Sequence, residues 1–143
     1  LDVARNVPDR VIDALAASGG MLGFSLYPHH LAGGSDCTLE AFCAMVARTA
    51  ERVGTGCLGI GSDLCQDQPD EVVAWMREGR WSRRGWQESD AAFPPQTAWF
   101  RDNRDLARVA EGLAAAGFDA GEVGAIMGGN WLRHFARVLD GAG

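Results

Sequence analysis

Three places in the sequence carry side chains whose type and position suit chemistry on a small polar ligand. Asp63 closes "CLGIGSD", a short apolar run that ends on a carboxylate. A carboxylate leaving a buried strand stands where α/β folds gather their working groups, at the carboxyl ends of the strands. The same position suits an aspartate that caps the next turn, and position alone leaves the two roles level. His29 and His30 follow Tyr27-Pro28. Imidazoles are metal ligands, but neighbours on an extended chain point to opposite sides, so two ligands to one ion are not expected from this pair. Arg5, in "ARNVPD", precedes a helix start and has the planar fork that grips a carboxylate at two points. Taken alone, it reads as a surface arginine.

A fourth pattern has the right letters in the wrong order. Gly54, Gly56 and Gly59 spell G-x-G-x-x-G, a dinucleotide fingerprint only when a strand enters the glycines and a helix leaves them, because the helix N-terminus holds the pyrophosphate. Upstream, Leu39, Phe42, Cys43, Val46, Ala50 and Val53 recur at helical spacing, and downstream the apolar run is too short for a helix. The order predicted is helix, glycine C-cap at Gly54, tight turn, buried strand.

Composition narrows the partners. The net charge of -6 argues against nucleic acid, which needs clustered positive charge. One basic cluster, "REGRWSRRGW", holds Arg77, Arg80, Arg83 and Arg84 and reads as a solvated or substrate-facing loop. All 13 basic residues are arginine, which removes a P-loop, a Schiff base and a lysine general base. Cys37, Cys43, Cys57 and Cys65 form no C-x-x-C pair; Cys43 and Cys57 fall on apolar faces as core thiols of a reducing compartment, and a zinc site of cysteines alone is not expected. No apolar run approaches the ~20 residues that cross a bilayer, and no signal-like segment opens the chain. The expectation is a soluble, cytoplasmic protein that uses neither nucleic acid nor membrane.

The elements that must position these residues alternate. "VPDRVIDALAASGG" predicts a helix with Pro8 in its first turn, an inward face of Val11, Ile12, Leu15 and Ala16, and a stop at Gly19-Gly20. "MLGFSL" predicts a buried strand ended by Tyr27-Pro28; a helix over about 38–53 and a strand over about 57–62 follow. This is the rhythm of an α/β protein with a parallel sheet, and 143 residues at 47% hydrophobic suffice for one domain with a core. From Leu64 to Asn103 only "PDEVVAWMREG" reads as helical. The rest, with Trp81, Trp86, Phe93, Trp99 and Phe100, is a long aromatic-rich insertion expected to be ordered and packed over something.

The end of the chain reads as helical. Leu106, Val109, Ala110, Leu113 and Ala114 share one face, and Asp119 and Glu122 have capping-box spacing. Asn130 is predicted to cap a final helix that turns Trp131, Leu132, Phe135, Val138 and Leu139 inward.

Taken in order, "RNVPDRVIDALAASGGMLGFSLYP", "TLEAFCAMVARTAERVGTGCLGIGSD" and "FDAGEVGAIMGGNWLRHF" resemble the C-terminal part of the renal (membrane) dipeptidase family, peptidase family M19. The combination R-N-x-P-D, G-I-G-S-D and G-G-N-W-L-R carries the resemblance, which covers nearly the whole chain apart from the aromatic insertion. It implies a fold class of α/β, the C-terminal part of a (β/α)8 metal-dependent hydrolase barrel ending in a helical segment. Residues 1–143 would form the C-terminal portion of one barrel domain, with the insertion at about 64–103.

The implied activity is zinc-dependent hydrolysis of dipeptides or small amides. Two zinc ions would be held by ligands outside this chain, which on its own would be inactive. Arg5 matches the family arginine that grips the substrate carboxylate. Asp63 matches the aspartate that holds the substrate amino group and assists proton transfer, and Tyr27 falls at an aromatic position near the site. The family commonly reads G-S-D-F-D-G where this chain has "GSDLCQ", so Leu64, Cys65 and Gln66 point to a changed pocket and another small amide. Expected associations are a homo-oligomer or the N-terminal part of the barrel. Two alternatives stand beside the enzyme: a non-catalytic partner or dimerisation half, and a carboxylate-binding module without metals.

Overall fold

The first helix begins where proline makes it cheap to begin. Pro8, at φ -71°, precedes α1 (Asp9–Ala17), whose first turn carries Asp9. The structure, a computed structural model, describes residues 6–64, 68–69, 71–72, 75 and 94–141. Gly19 ends α1 in the left-handed region (φ 69°), as the Gly-Gly stop required. β1 (Leu22–Ser25) follows, and two 3₁₀ turns, Pro28–His30 and Gly34–Asp36, lead to α2 (Leu39–Val53). Thr38 caps α2 by accepting the Ala41 amide at 3.1 Å, and Gly54 (φ 76°) closes it.

β2 (Leu58–Gly61) then pairs in parallel with β1, in the register Leu22–Leu58, Gly23–Gly59, Phe24–Ile60 and Ser25–Gly61. Because side chains alternate along a strand, the pair has two unlike faces. Leu22, Phe24, Leu58 and Ile60 make an apolar face, while Gly23, Ser25, Gly59 and Gly61 make a nearly bare one. The core lies on the apolar side. Phe42, Cys43 and Val46 of α2 are buried there, with Phe24 meeting Phe42 edge-on at 6.3 Å between ring centres.

α3 (Leu106–Ala115) buries Val109 and Leu113 against α2. The approach is close enough that a Cβ on Gly112 would lie 2.8 Å from Cys43 Sγ and 2.8 Å from Leu39 Cγ. Ala114, expected on the inward face, is exposed, because Leu106, Val109, Ala110 and Leu113 already fill the narrow stripe. Trp99 and Phe100, at the end of the aromatic stretch, are buried, and Trp99 Nε1 donates to Cys37 O at 2.7 Å. That end of the insertion packs on the core as expected. Trp81, Trp86, Phe93, the arginine cluster and most of the short helical run at 69–79 lie outside the described residues.

Asp119 and Glu122 form the predicted capping box at the start of α4 (Ala120–Gly124). One π-helical turn, Ala125–Gly129, kinked at Gly128 (φ 166°, ψ -26°), then leads into α5 (Asn130–Asp140). This corrects the expectation for Asn130. Its backbone is already helical (φ -65°, ψ -42°), so its side chain cannot cap. It is buried instead, and Nδ2 donates to Thr55 O at 2.8 Å and Leu58 O at 2.7 Å, strapping the last helix to β2.

The inward face predicted for α5 is corrected as well. Leu132 (74%), Phe135 (54%), Val138 (51%) and Leu139 (73%) are exposed. Trp131 alone of the five turns onto the sheet, where it lies on the glycine face, and its Nε1 donates to Ile60 O at 3.2 Å. The bare floor under that indole is short; Arg137 Nη2 also donates to Gly19 O, but the four apolar side chains stay open.

Candidate functional site at the carboxyl ends of the strands

Both strands end at a cleft of about 690 Å³ whose polar lining includes Asn6, Ser25, His30 and Asp63, with Val7, Ile12 and Met45 among its apolar walls. The lining matches the usual pattern of a binding site, apolar with a few convergent polar groups. Asp63 sits two residues past β2 with φ 52°, the single non-glycine residue with positive φ among the described residues. The left-handed conformation costs an L-residue about 1 kcal/mol, and aspartate tolerates it better than most. Its side chain is exposed. Among the described residues its carboxylate accepts no hydrogen bond and joins no ion pair, so it caps nothing there.

Ser25 reaches the cleft from the glycine face of β1. Its Oγ accepts the Tyr27 amide at 3.2 Å and lies 2.9 Å from His30 Nδ1. His30 is brought back by the 3₁₀ turn, in which its amide donates to Tyr27 O at 2.9 Å. Asn6 Nδ2 donates to His30 O at 3.2 Å, which ties the segment preceding α1 to the same loop. The two histidines therefore sit on a turn, not on an extended chain. His30 points to Ser25, whereas His29 is exposed.

Tyr27 packs against both imidazoles, 5.3 Å from the His29 ring and 5.2 Å from the His30 ring. It borders the site through His30 and is not among the residues that line the cleft. Arg5 lies outside the described residues, as do Cys65 and Gln66; Asn6, the next residue to Arg5, lines the cleft. Ser25, Asn6 and the His30 contact are the members that sequence reasoning missed. Period-two alternation from the bare Gly23 could have found Ser25; the back-folded histidine had no periodic signal.

Two of the cysteines are held inert. Burial pushes the Cys37 thiol up, and burial followed by the nearby charge of Glu40 takes Cys43 to about 11. Neither offers a thiolate near neutral pH. A second groove of about 590 Å³ runs between α2 and α3, floored by alanine and Gly112 and edged by Glu40, Arg48, Glu51 and Glu111. Lying on the helix side, it brings no strand-end group together.

Among the described residues, no cluster of three or more His, Cys, Asp or Glu side chains is arranged to hold a metal ion. A zinc pair therefore finds no ligand set in them. No helix among them is long and apolar enough to cross a membrane.

No family model matches the chain, and no curated protein matches it. A solved structure does: the crystal structure of an amidohydrolase from Pseudomonas aeruginosa superposes with a TM-score of 0.78 at 23% identity over 92% of this chain. The match covers 40% of that structure's chain, so the present sequence spans well under half its length. At this identity the likeness is one of fold. The mixed helix and strand arrangement described here matches part of that structure's fold.

Proposed function

We propose that this chain supplies the C-terminal part of the site of a barrel hydrolase acting on dipeptides or small amides. The observation that carries the reading is Asp63, held in a left-handed turn at the end of β2 with its carboxylate open to the cleft. Strained backbone at a polar cleft is a recurrent mark of working residues. The sequence resemblance to the renal dipeptidase family and the fold shared with an amidohydrolase support it.

Hydrolysis adds water across the C–N bond, with hydroxyl going to the carbonyl carbon and a proton to the departing nitrogen. In this reading Asp63 holds the substrate amino group and carries that proton. Arg5 grips the substrate carboxylate with its planar fork, and Tyr27 steadies the loop that borders the cleft. Zinc, if the protein uses it, takes its ligands from residues other than those described here, and no step above is routed through it.

The exposed apolar face of α5 favours a second reading, in which the chain is one half of an assembly covered by another copy or by the rest of a barrel. The deciding experiment measures Gly-Leu and Gly-D-Ala hydrolysis by the complete native assembly that contains this chain and by its Asp63→Asn variant, with zinc content determined in parallel. Turnover that disappears in the variant supports the hydrolase. Absent turnover in both, with a carboxylate ligand still bound, identifies a binding module instead.

A further inference from the structure

The Ser25–His30 pair has no part in the function proposed so far, yet it occupies the same cleft as Asp63. Its hydrogen bonds fix what it can offer. Ser25 Oγ already accepts from the Tyr27 amide, and among the described residues the serine proton finds no acceptor other than His30 Nδ1 at 2.9 Å. With Ser25 donating to Nδ1, the neutral imidazole carries its proton on Nε2; the charged imidazole carries one there as well. In that arrangement Nε2 is a donor in either charge state, and among the described residues it has no partner.

A donor facing a cleft selects an acceptor oxygen. Two features say which one. Asp63 repels a carboxylate from its own end of the cleft, whereas the charge of Asp9, the other acid in the lining, is met by Arg52 at 2.9 Å, so the anionic end of a dipeptide lies toward β1. His30 belongs to the β1 side and is tied through its carbonyl to Asn6. From this geometry we propose that His30 is a specificity residue which donates Nε2–H to the C-terminal carboxylate of the substrate, with Ser25 as the positioning residue that sets its tautomer. The proposal rests on the hydrolase reading for its substrate, though not for its ligand chemistry.

The test pairs the acid Gly-Leu with its C-terminal amide as probes for the complete native assembly that contains this chain. His30→Asn keeps a group near the Nδ1 position and loses the donor at Nε2; His30→Gln keeps a donor near Nε2. The expected result is a KM for Gly-Leu raised about 10- to 100-fold in H30N, the range for a hydrogen bond to a charged group. kcat stays within about twofold, KM for the amide hardly moves, and H30Q recovers most of the loss. Equal effects of H30N and H30Q, or an unchanged KM in H30N, would overturn the proposal.

The wild-type protein, whose loop carries no substitution, gives a second readout. N-acetylglycine is titrated while the imidazole ¹⁵N signals of His29, His30 and His134 are followed by NMR. Movement confined to His30 Nε2 supports the proposal even if no dipeptide is hydrolysed, in which case only the hydrolase reading fails. A His30 signal that stays still sinks the proposal even if turnover is found.

Discussion

One face of the same two strands is treated in opposite ways at its two ends. At the Gly23–Gly59 rung the face is bare, and Trp131 packs closely on it: a Cβ on Gly59 would sit 2.8 Å from Trp131 Cε2 and 2.9 Å from Cδ1. At the Ser25–Gly61 rung it carries a hydroxyl and opens, two residues on, to Asp63. Glycine serves the first end by letting an aromatic ring approach the backbone. The second end keeps its polar groups out of apolar packing and in reach of a ligand. Barrel and doubly wound folds divide stability and chemistry along their strands in the same sense, and here a few residues of each strand suffice for both.

That division is breakable from either side. Asp63→Asn retains a residue that tolerates φ 52°, so it should leave the melting curve within about 0.5 kcal/mol. It should nevertheless cut kcat/KM for a dipeptide by about 10²- to 10⁴-fold, the worth of a positioned proton carrier. Steady-state kinetics beside a urea melt check both halves, and a fold loss matching the activity loss would erase the distinction.

Gly59→Val is the converse change. It drives a branched side chain into Trp131 and should cost about 3 kcal/mol by overpacking, read in urea melts and in a red shift of tryptophan emission. Asn130→Leu comes next. It keeps the volume but leaves the carbonyls of Thr55 and Leu58 without their amide donor, which should destabilise by about 2 kcal/mol. A neutral result would mean that solvent reaches those carbonyls.

The smallest effect lies at the entry to α3. Asp102, hydrogen-bonded mainly by the Arg104 side chain and also by its amide, titrates at about 2 against an ordinary 3.8. Its folded-state value is depressed, so its contribution is fully present above about pH 4 and is lost as pH falls through about 2. The Arg104 amide shift, followed by NMR against pH, should trace that step, and a midpoint at the ordinary carboxylate value would break the prediction.

Local chemistry made much of this frame legible in sequence. Pro8 and Gly19 bounded α1, Thr38 and Gly54 bounded α2, and the Asp119–Glu122 spacing gave a capping box, because each such signal acts within one turn. Asp63 was legible as a strand-end carboxylate. Asn130 was not read correctly, since a side chain that caps and one that straps two distant carbonyls look alike until the preceding π turn is known. The apolar pattern of α5 was real, but periodicity says which residues share a face and not what covers it. His30 escaped because a 3₁₀ turn returns it to Ser25, a geometry with neither the strand nor the helix period.

The Asn130 strap also sets an order of events. It joins residues 72 positions apart, a far longer span than any contact within α2 or between α2 and its cap. Loop closure over such a distance is slow, and a ribosome must finish most of the chain before the donor exists. Until then Leu58 O has no amide to receive and the glycine face has no lid. The strand that presents Asp63 is therefore among the last parts of the molecule to be secured, held only once α5 has docked on it.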